Sequence, residues 1–221
     1  MKHSKTLIDL SHVIDDQTIT YKGLPAPIMC DFLSREDSKG HYAEGTEFQI
    51  GKIEMVGNTG TYIDSPFHRY VDGNDLSELP LESVAELEGV LVNAVGQQAI
   101  GPEFFVDVDV RGKAVLVHTG WSQHWGTDQY FEGHSFLTQA AAEYLRDHGA
   151  VLVGIDSLNI DDVSGGERPV HTILLEADIP IVEHLCNLDQ IGERPFTFSA
   201  VPAKVKQFGT FPVRAYAGVK E

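Results

Sequence analysis

The chain has 221 residues, 42% hydrophobic and 22% charged, ordinary values for a soluble globular protein. A chain this long buries about 70% of its unfolded surface. It is therefore not a disordered chain, a collagen-like repeat or a small disulfide scaffold. Sixteen Lys and Arg against 33 Asp and Glu give a formal charge of −17, a field that repels nucleic acid and anionic membrane surfaces.

Cys30 and Cys186 lie far apart and show no C-x-x-C spacing, so they read as two reduced core thiols. The first sixteen residues carry charge and lack the apolar run of a signal peptide. No window is an uninterrupted apolar stretch of membrane-spanning length. A soluble, cytoplasmic protein acting on a small molecule is expected. No repeat, low-complexity segment or linker interrupts the chain, so residues 1–221 are expected to form one domain.

In chain order, Leu7 to Leu10 predicts a first short strand, and Phe48 to Met55 a second whose period-2 register slips near Gly51, the mark of a bulge. Gly89–Val95, Ala114–His118 and Val151–Ile155 are near-continuous apolar runs, expected as strands buried on both faces. Between the last two lies the clearest helix: Thr138 or Ser135 caps it, Leu137, Ala141, Tyr144 and Leu145 form its apolar stripe, and Gly149 stops it. A short helical stretch is expected from His171 to Glu176. Strands follow at Ile179–Val182, Phe196–Ser199 and Val213–Ala217. The mixture is α/β and rich in strands.

The densest cluster of reactive residues is Asn58 to His68, where Gly60 and Pro66 shape a loop that brings Asp64 and His68 together. A carboxylate and an imidazole in such a loop suit a metal ligand beside a proton-transfer group. An Asx turn with a hydrogen-bonded histidine fits the same residues. Further on, Glu183 closes an apolar strand, where a carboxylate requires a charged or metal partner. By strand alternation His184 should face solvent. His118 is expected as a satisfied strand-end histidine, and Trp121 and Trp125 as core or subunit-interface anchors. Gly165-Gly166 before His171 marks a flexible turn.

Asn58 to His68 resembles the signature of the metal-dependent cyclase family, to which bacterial kynurenine formamidase and isatin hydrolase belong: His-x-Gly-Thr-His-x-Asp-x-Pro-x-His. Gly60, Thr61, Asp64, Pro66 and His68 match, whereas Asn58 and Tyr62 replace the first two histidines. His171, followed twelve residues on by Glu183-His-Leu-Cys-Asn-Leu188, meets the family's later pattern. Asp9-Leu-Ser-His12, Val153-Gly-Ile-Asp156 and Pro212-Val-Arg-Ala215 extend the similarity along nearly the whole chain.

The resemblance implies a compact, strand-rich swivelling β/β/α fold and a homodimer or homotetramer. It also implies a hydrolase of a small amide, N-formyl compound, cyclic amide or lactone. Carried over by position, the family's first metal loses both imidazoles, while Asp64, His171 and Glu183 keep the second set whole. One divalent ion, Zn²⁺ or Mn²⁺, or an emptied site are both compatible with that set. His68 is then the acid/base, Tyr62 a donor to the developing oxyanion, and Tyr21 and Asn58 substrate contacts. A metal-free isomerase, dehydratase or cyclase using His68 and Tyr62 stands beside this reading, as does a non-catalytic binding protein.

Overall fold

The structure is a computed structural model that describes residues 5–220. Its elements run β1 (Lys5–Asp9), β2 (Ile28–Leu33), α1 (Arg35–Ser38), β3 (Ile50–Glu54), β4 (Tyr62–Asp64), β5 (Leu87–Asn93), β6 (Ala99–Ile100), β7 (Ala114–His118) and β8 (Phe136–Leu137). There follow α2 (Gln139–Asp147), β9 (Leu152–Ile155), α3 (Pro169–Glu176), β10 (Ile181–Glu183), β11 (Phe196–Ser199), β12 (Thr210–Pro212) and β13 (Tyr216–Lys220).

Nine strands form one large curled sheet in the order β1-β13-β11-β5-β7-β9-β10-β4-β12. The central pairs β5–β7, β7–β9 and β9–β10 are parallel, and the flanking pairs are antiparallel. Parallel neighbours need crossovers, and here α2 links β7 to β9 while α3 links β9 to β10. Alternation along the central strands divides the core. Leu116, Leu152, Val182 and Ile63 face one apolar cluster with Phe198, Ala217 and Val219. Val115, Val153, Ile155 and Ile181 face the other, under Ala141 and Leu145 of α2 and Val170 and Leu174 of α3.

The apolar runs at β5, β7, β9 and β11 form strands as expected, with β7, β9 and β10 almost wholly buried. Thr138 caps α2, its side chain accepting from Ala141 N, and Gly149 ends it at φ +79°. Several boundaries differ. Leu137 belongs to β8 rather than the helix, and α3 starts two residues earlier than expected, because Pro169 occupies its first turn without losing a needed donor. Of the strand expected over Val213–Ala217 only Tyr216 and Ala217 are in one: residues 213–215 connect β12, which ends at Pro212, to β13, which starts at Tyr216. Tyr62–Asp64, read as part of a loop, is a three-residue buried strand followed by a 3-10 turn over Pro66–His68.

The irregularity expected near Gly51 falls at that level of the ribbon but in the partner strand: the β2–β3 register shifts between Asp31 and Leu33, so Phe32 of β2 is the extra residue opposite Gly51 and Ile50. This ribbon pairs only with itself and is exposed along nearly its whole length. Cys30 lies on it and is exposed, so only Cys186 is a buried thiol. Among the described residues no helix is long and apolar enough to cross a membrane.

His12 stacks on Trp125 with ring centroids 4.0 Å apart and planes at 6°. Burial holds its imidazole neutral, lowering the pKa from 6.5 to about 4, and its Nε2 has no hydrogen-bond partner. The unfolded chain therefore takes up a proton below pH 6.5 that the folded chain refuses until about pH 4. Folding stability should fall through that window by up to about 3 kcal/mol from this group and level off below it. Urea unfolding of wild type and His12→Phe at pH 7 and pH 4 checks this. The Phe variant, which keeps an aromatic ring against Trp125, should show a smaller acid loss. An identical loss in both proteins assigns the acid sensitivity elsewhere.

Candidate active site

Strand register assembles the site. In the three-strand strip β12–β4–β10, Thr210 and Ile181 both lie opposite Asp64, and Pro212 and Glu183 both lie opposite Tyr62. Side chains two apart share a face of a strand, so Tyr62, Asp64, Glu183 and Thr210 project together toward the side where Ile181 meets α3. His171 enters from the first turn of α3. His68 comes from the 3-10 turn after β4, close to β12 at Gly209, where any side chain would collide with the His68 backbone.

Asp64 and Glu183 are fully buried, and His171 nearly so. Asp161, which the sequence did not single out, organises this cluster. Its carboxylate accepts from the Val170 and His171 backbone N–H groups at 2.7 and 3.0 Å, capping α3, and sits 2.6 Å from His171 Nδ1. An ionised carboxylate only accepts, so Nδ1 carries the proton. Nε2 is left facing Asp64 Oδ2 at 3.6 Å and Glu183 Oε1 at 3.7 Å.

Burial alone would depress His171, but Glu183, Asp161 and Asp64 outweigh it and push its pKa up to about 10. Burial and the nearby Asp64 charge push Glu183 up to about 7, against the opposing pull of His171. The cluster thus favours a positive charge at its centre, whether a proton or a cation.

Asp64 Oδ2 is a buried acceptor with no hydrogen-bond partner. Such an atom is costly unless a cation or a proton serves it. Asp64, His68 and His171 each offer a donor atom, all three within 4.8 Å of one another. Glu183 lies beside that triplet with both oxygens hydrogen-bonded: Oε1 accepts from Ile160 N at 2.6 Å and Oε2 from the Tyr62 hydroxyl at 2.5 Å. Asp64, His171 and the exposed His68 can therefore hold a cation, with Glu183 Oε1 beside them. A divalent ion fits this donor set of oxygens and imidazoles.

Thr210 couples two of these residues. Its hydroxyl contacts Asp64 Oδ1 and lies 2.7 Å from His68 Nδ1. The single hydroxyl proton goes to the carboxylate, so His68 Nδ1–H is the donor and Nε2 is left with a free lone pair.

The Tyr62 and Tyr21 hydroxyl oxygens lie 2.9 Å apart, and Tyr21 donates its single proton to Leu158 O at 2.7 Å and accepts from Asn159 Nδ2 at 2.8 Å. Burial, reinforced by Glu183, raises both phenols well above their ordinary range. They are neutral donors, and the Tyr62 proton is committed to Glu183 rather than free for substrate. Where the family signature has an imidazole, this chain places a phenol that ties down a carboxylate.

His184, expected in solvent, is fully buried. Its φ of +56° breaks the strand alternation and turns the ring inward, against Tyr62 and Trp125, with Nδ1 2.8 Å from the Tyr130 hydroxyl. His118 ends β7 with Nε2 3.9 Å from Asp156, and Trp121 donates to Tyr130 O.

A cavity of about 660 Å³ opens over the cluster. Tyr21, Asn58, Tyr62, His68, His171 and Glu183 all line it, and so do Arg69, Gln139 and Arg168. Six of the seven residues predicted from sequence thus meet at one cavity, and the seventh, Asp64, lies beneath it, within ion-pair reach of His68 and His171. Asp161 and Thr210 were missed. Asp161 had a faint signal, an acidic pair just before a Gly-Gly turn; Thr210 had none.

A buried Asp/His/Glu cluster, set by a curled mixed sheet under an open cavity, defines a hydrolase-type centre. Residues 8–162 match the family model described as "Putative cyclase", and the chain belongs to that cyclase family. Over nearly its full length it is similar to the kynurenine formamidase of Geobacillus thermodenitrificans, 27% identical across 94% of this chain and 95% of that one. The kynurenine formamidase of Bacillus anthracis is 26% identical across 97% and 98%. Among solved structures, a "predicted metal-dependent hydrolase" from Bacillus stearothermophilus superposes with a TM-score of 0.76 at 26% identity, covering 97% and 98% of the two chains. Isatin hydrolase A from Labrenzia aggregata shares the fold, with a TM-score of 0.82 at 21% identity over 98% and 94%.

Proposed function

We infer that this chain hydrolyses a small amide, with N-formyl aromatic amines, cyclic amides and lactones as the substrate types to try first. The observation that carries the reading is the partnerless buried Asp64 Oδ2 facing His171 Nε2 at 3.6 Å beneath an open cavity. Similarity to formamidases along the whole chain supports it.

Asp64 and His171, with Glu183 beside them, would hold one divalent ion, Zn²⁺ or Mn²⁺. Bound there, it supplies Lewis-acid polarisation of the scissile carbonyl and makes water more acidic. The chain's own residues do the rest. His68, whose neutral tautomer with Nδ1–H toward Thr210 presents the Nε2 lone pair, takes the proton of the attacking water and returns it to the leaving nitrogen. Asp161 holds His171 in the tautomer that faces the cluster. Asn58 and Tyr21 shape the wall against which the substrate lies.

A metal-free reaction driven by Tyr62 is disfavoured by the commitment of its hydroxyl to Glu183. The test is metal content by elemental mass spectrometry together with turnover of formanilide and isatin. About one equivalent of ion and chelator-sensitive hydrolysis are expected. Two equivalents would mean that Asn58 and Tyr62 still hold the family's first metal. Hydrolysis that survives metal removal would overturn the assignment.

The assembly is a homodimer or a tetramer built from such dimers, joined through the β2–β3 ribbon. Ile28, Phe32 and Ile53 are 60%, 77% and 57% exposed, and Met29, Phe48 and Ile50 are exposed as well, with Met29 and Ile53 paired on one face of the ribbon and Ile28 on the other. A two-stranded ribbon alone is marginally stable in water. The two strands carry only Asp31, Lys52 and Glu54 as charges, so here a second copy meets little of the chain's −17. Light scattering should give at least twice 24.3 kDa for wild type and the single-chain mass for a Phe32→Lys/Ile53→Lys variant. A monomeric wild type sinks this assembly.

A further inference from the structure

Two guanidinium groups stand at the wall of the active-site cavity and take no part in the chemistry above. Arg168 immediately precedes α3. Its Nη1 donates to Asp162 O, Gly165 O and Glu167 O at 3.3, 2.9 and 2.7 Å, which fixes the side chain against its own loop. Arg69 follows His68 directly. Its Nε reaches Thr172 Oγ1 at 3.4 Å, and its guanidinium lies 5.4 Å from the centroid of the Tyr70 ring. Arg168 therefore stands at the start of α3, and Arg69 reaches Thr172 one turn further along it.

Among the described residues neither forms an ion pair with a carboxylate. The acids of the cavity are Glu183, sunk in its floor, and the exposed Glu167 at its rim. In a chain with twice as many acids as bases, a cavity wall lined by two guanidiniums, neither in an ion pair, is a local concentration of positive charge.

We propose that Arg69 and Arg168 form a carboxylate-binding subsite, so that the amide hydrolysed carries an anionic carboxylate beside the scissile bond. This rests on the hydrolase reading above and names its substrate class. The planar guanidinium fork matches a carboxylate in two parallel hydrogen bonds. A singly charged carboxylate suits the site better than a dianionic phosphate, because Glu167 and the overall negative field oppose further charge. Arg168, held on Nη1 by three carbonyls, needs little reordering to bind, and Arg69 supplies the more adaptable contact. Leu24, Ile173 and Pro169 add an apolar stretch of wall that suits the body of an aromatic or aliphatic acyl-amine, beside the polar Gln139, Asn159 and Thr172.

The experiment compares formanilide with 2-, 3- and 4-formamidobenzoate on the metal-loaded enzyme, wild type against Arg69→Gln and Arg168→Lys. Arg168→Lys keeps the charge while removing the fork. For wild type, kcat/KM should be higher for at least one formamidobenzoate than for formanilide. Each variant should lower that ratio about 10- to 100-fold, mainly through KM, since a hydrogen bond to a charged group contributes that much. A ratio at or below one in wild type, or one unmoved by either variant, overturns the subsite.

Should wild type hydrolyse neither compound, the hydrolase reading fails, and benzoate titration by calorimetry then decides the subsite alone. Saturable binding to wild type that weakens at least tenfold in Arg69→Gln supports it, and equal or absent binding refutes it. Melting temperatures of both variants confirm that the fold is retained.

Discussion

On the proposed reading, Asp64→Asn is expected to abolish divalent-ion binding and to lower kcat/KM for an N-formyl aromatic amide by about 1000-fold or more. Asp64 is fully buried at the end of β4, its Oδ1 bound by Thr210 and its Oδ2 without a partner opposite His171 Nε2. An amide of the same shape has one oxygen to satisfy both positions. If the oxygen stays toward Thr210, the NH₂ group faces the cluster centre and repels a cation; if it flips, the Thr210 hydroxyl loses its acceptor. A thousandfold loss corresponds to about 4 kcal/mol, in keeping with the several kcal/mol that a Lewis acid contributes to a polarised carbonyl. Elemental analysis, initial rates and a melting curve on the same preparation check this. A variant that keeps its ion and acts within about tenfold of wild type would show that the donor set lies elsewhere.

His68→Ala should lower kcat about 10²- to 10⁴-fold, the range for loss of a positioned acid/base, while the ion remains bound. The distinction matters because His68 stands within 4.8 Å of the Asp64 and His171 donor atoms and is sterically able to join them. Retention of the ion follows from burial: Asp64, His171 and Glu183 are enclosed, whereas His68 is exposed to the cavity and already bonded through Nδ1 to Thr210. Thr210→Val, which keeps the shape but removes the hydroxyl, should give an intermediate loss of about tenfold in kcat. It leaves the His68 Nδ1–H without its acceptor and the ring free to rotate. Loss of the ion in His68→Ala would instead make His68 a ligand and place proton transfer on another group.

Asp64, His171 and Glu183 were singled out by short patterns together with the family resemblance, and Tyr62 and Tyr21 by the resemblance alone. Asp64 precedes a proline turn, Glu183 ends an apolar run, and His171 follows a Gly-Gly turn. What joins them was not legible. Thr210 is 146 residues from Asp64 and meets it only through the β12–β4 register. Asp161 looks like one of two adjacent surface acids until α3 folds back and presents its first-turn N–H groups to it. The role assigned to Tyr62 changed for the same reason, since its cross-strand neighbour Glu183 claims its hydroxyl.

Local sequence by itself determined the central strands and α2. Continuous Val, Leu and Ile runs have no low-energy alternative to burial on both faces, and a Thr cap with a Gly stop bounds a helix wherever it packs. It also determined the sign of the chain's field and the residue types of the site. Tertiary structure alone decided which apolar segments stay uncovered, as with the β2–β3 ribbon, and that His184 turns inward. It alone also brought two arginines to the wall of an acidic protein's cavity. These outcomes depend on contacts between residues far apart in the chain, whose geometry is set by strand register and crossover rather than by any local pattern.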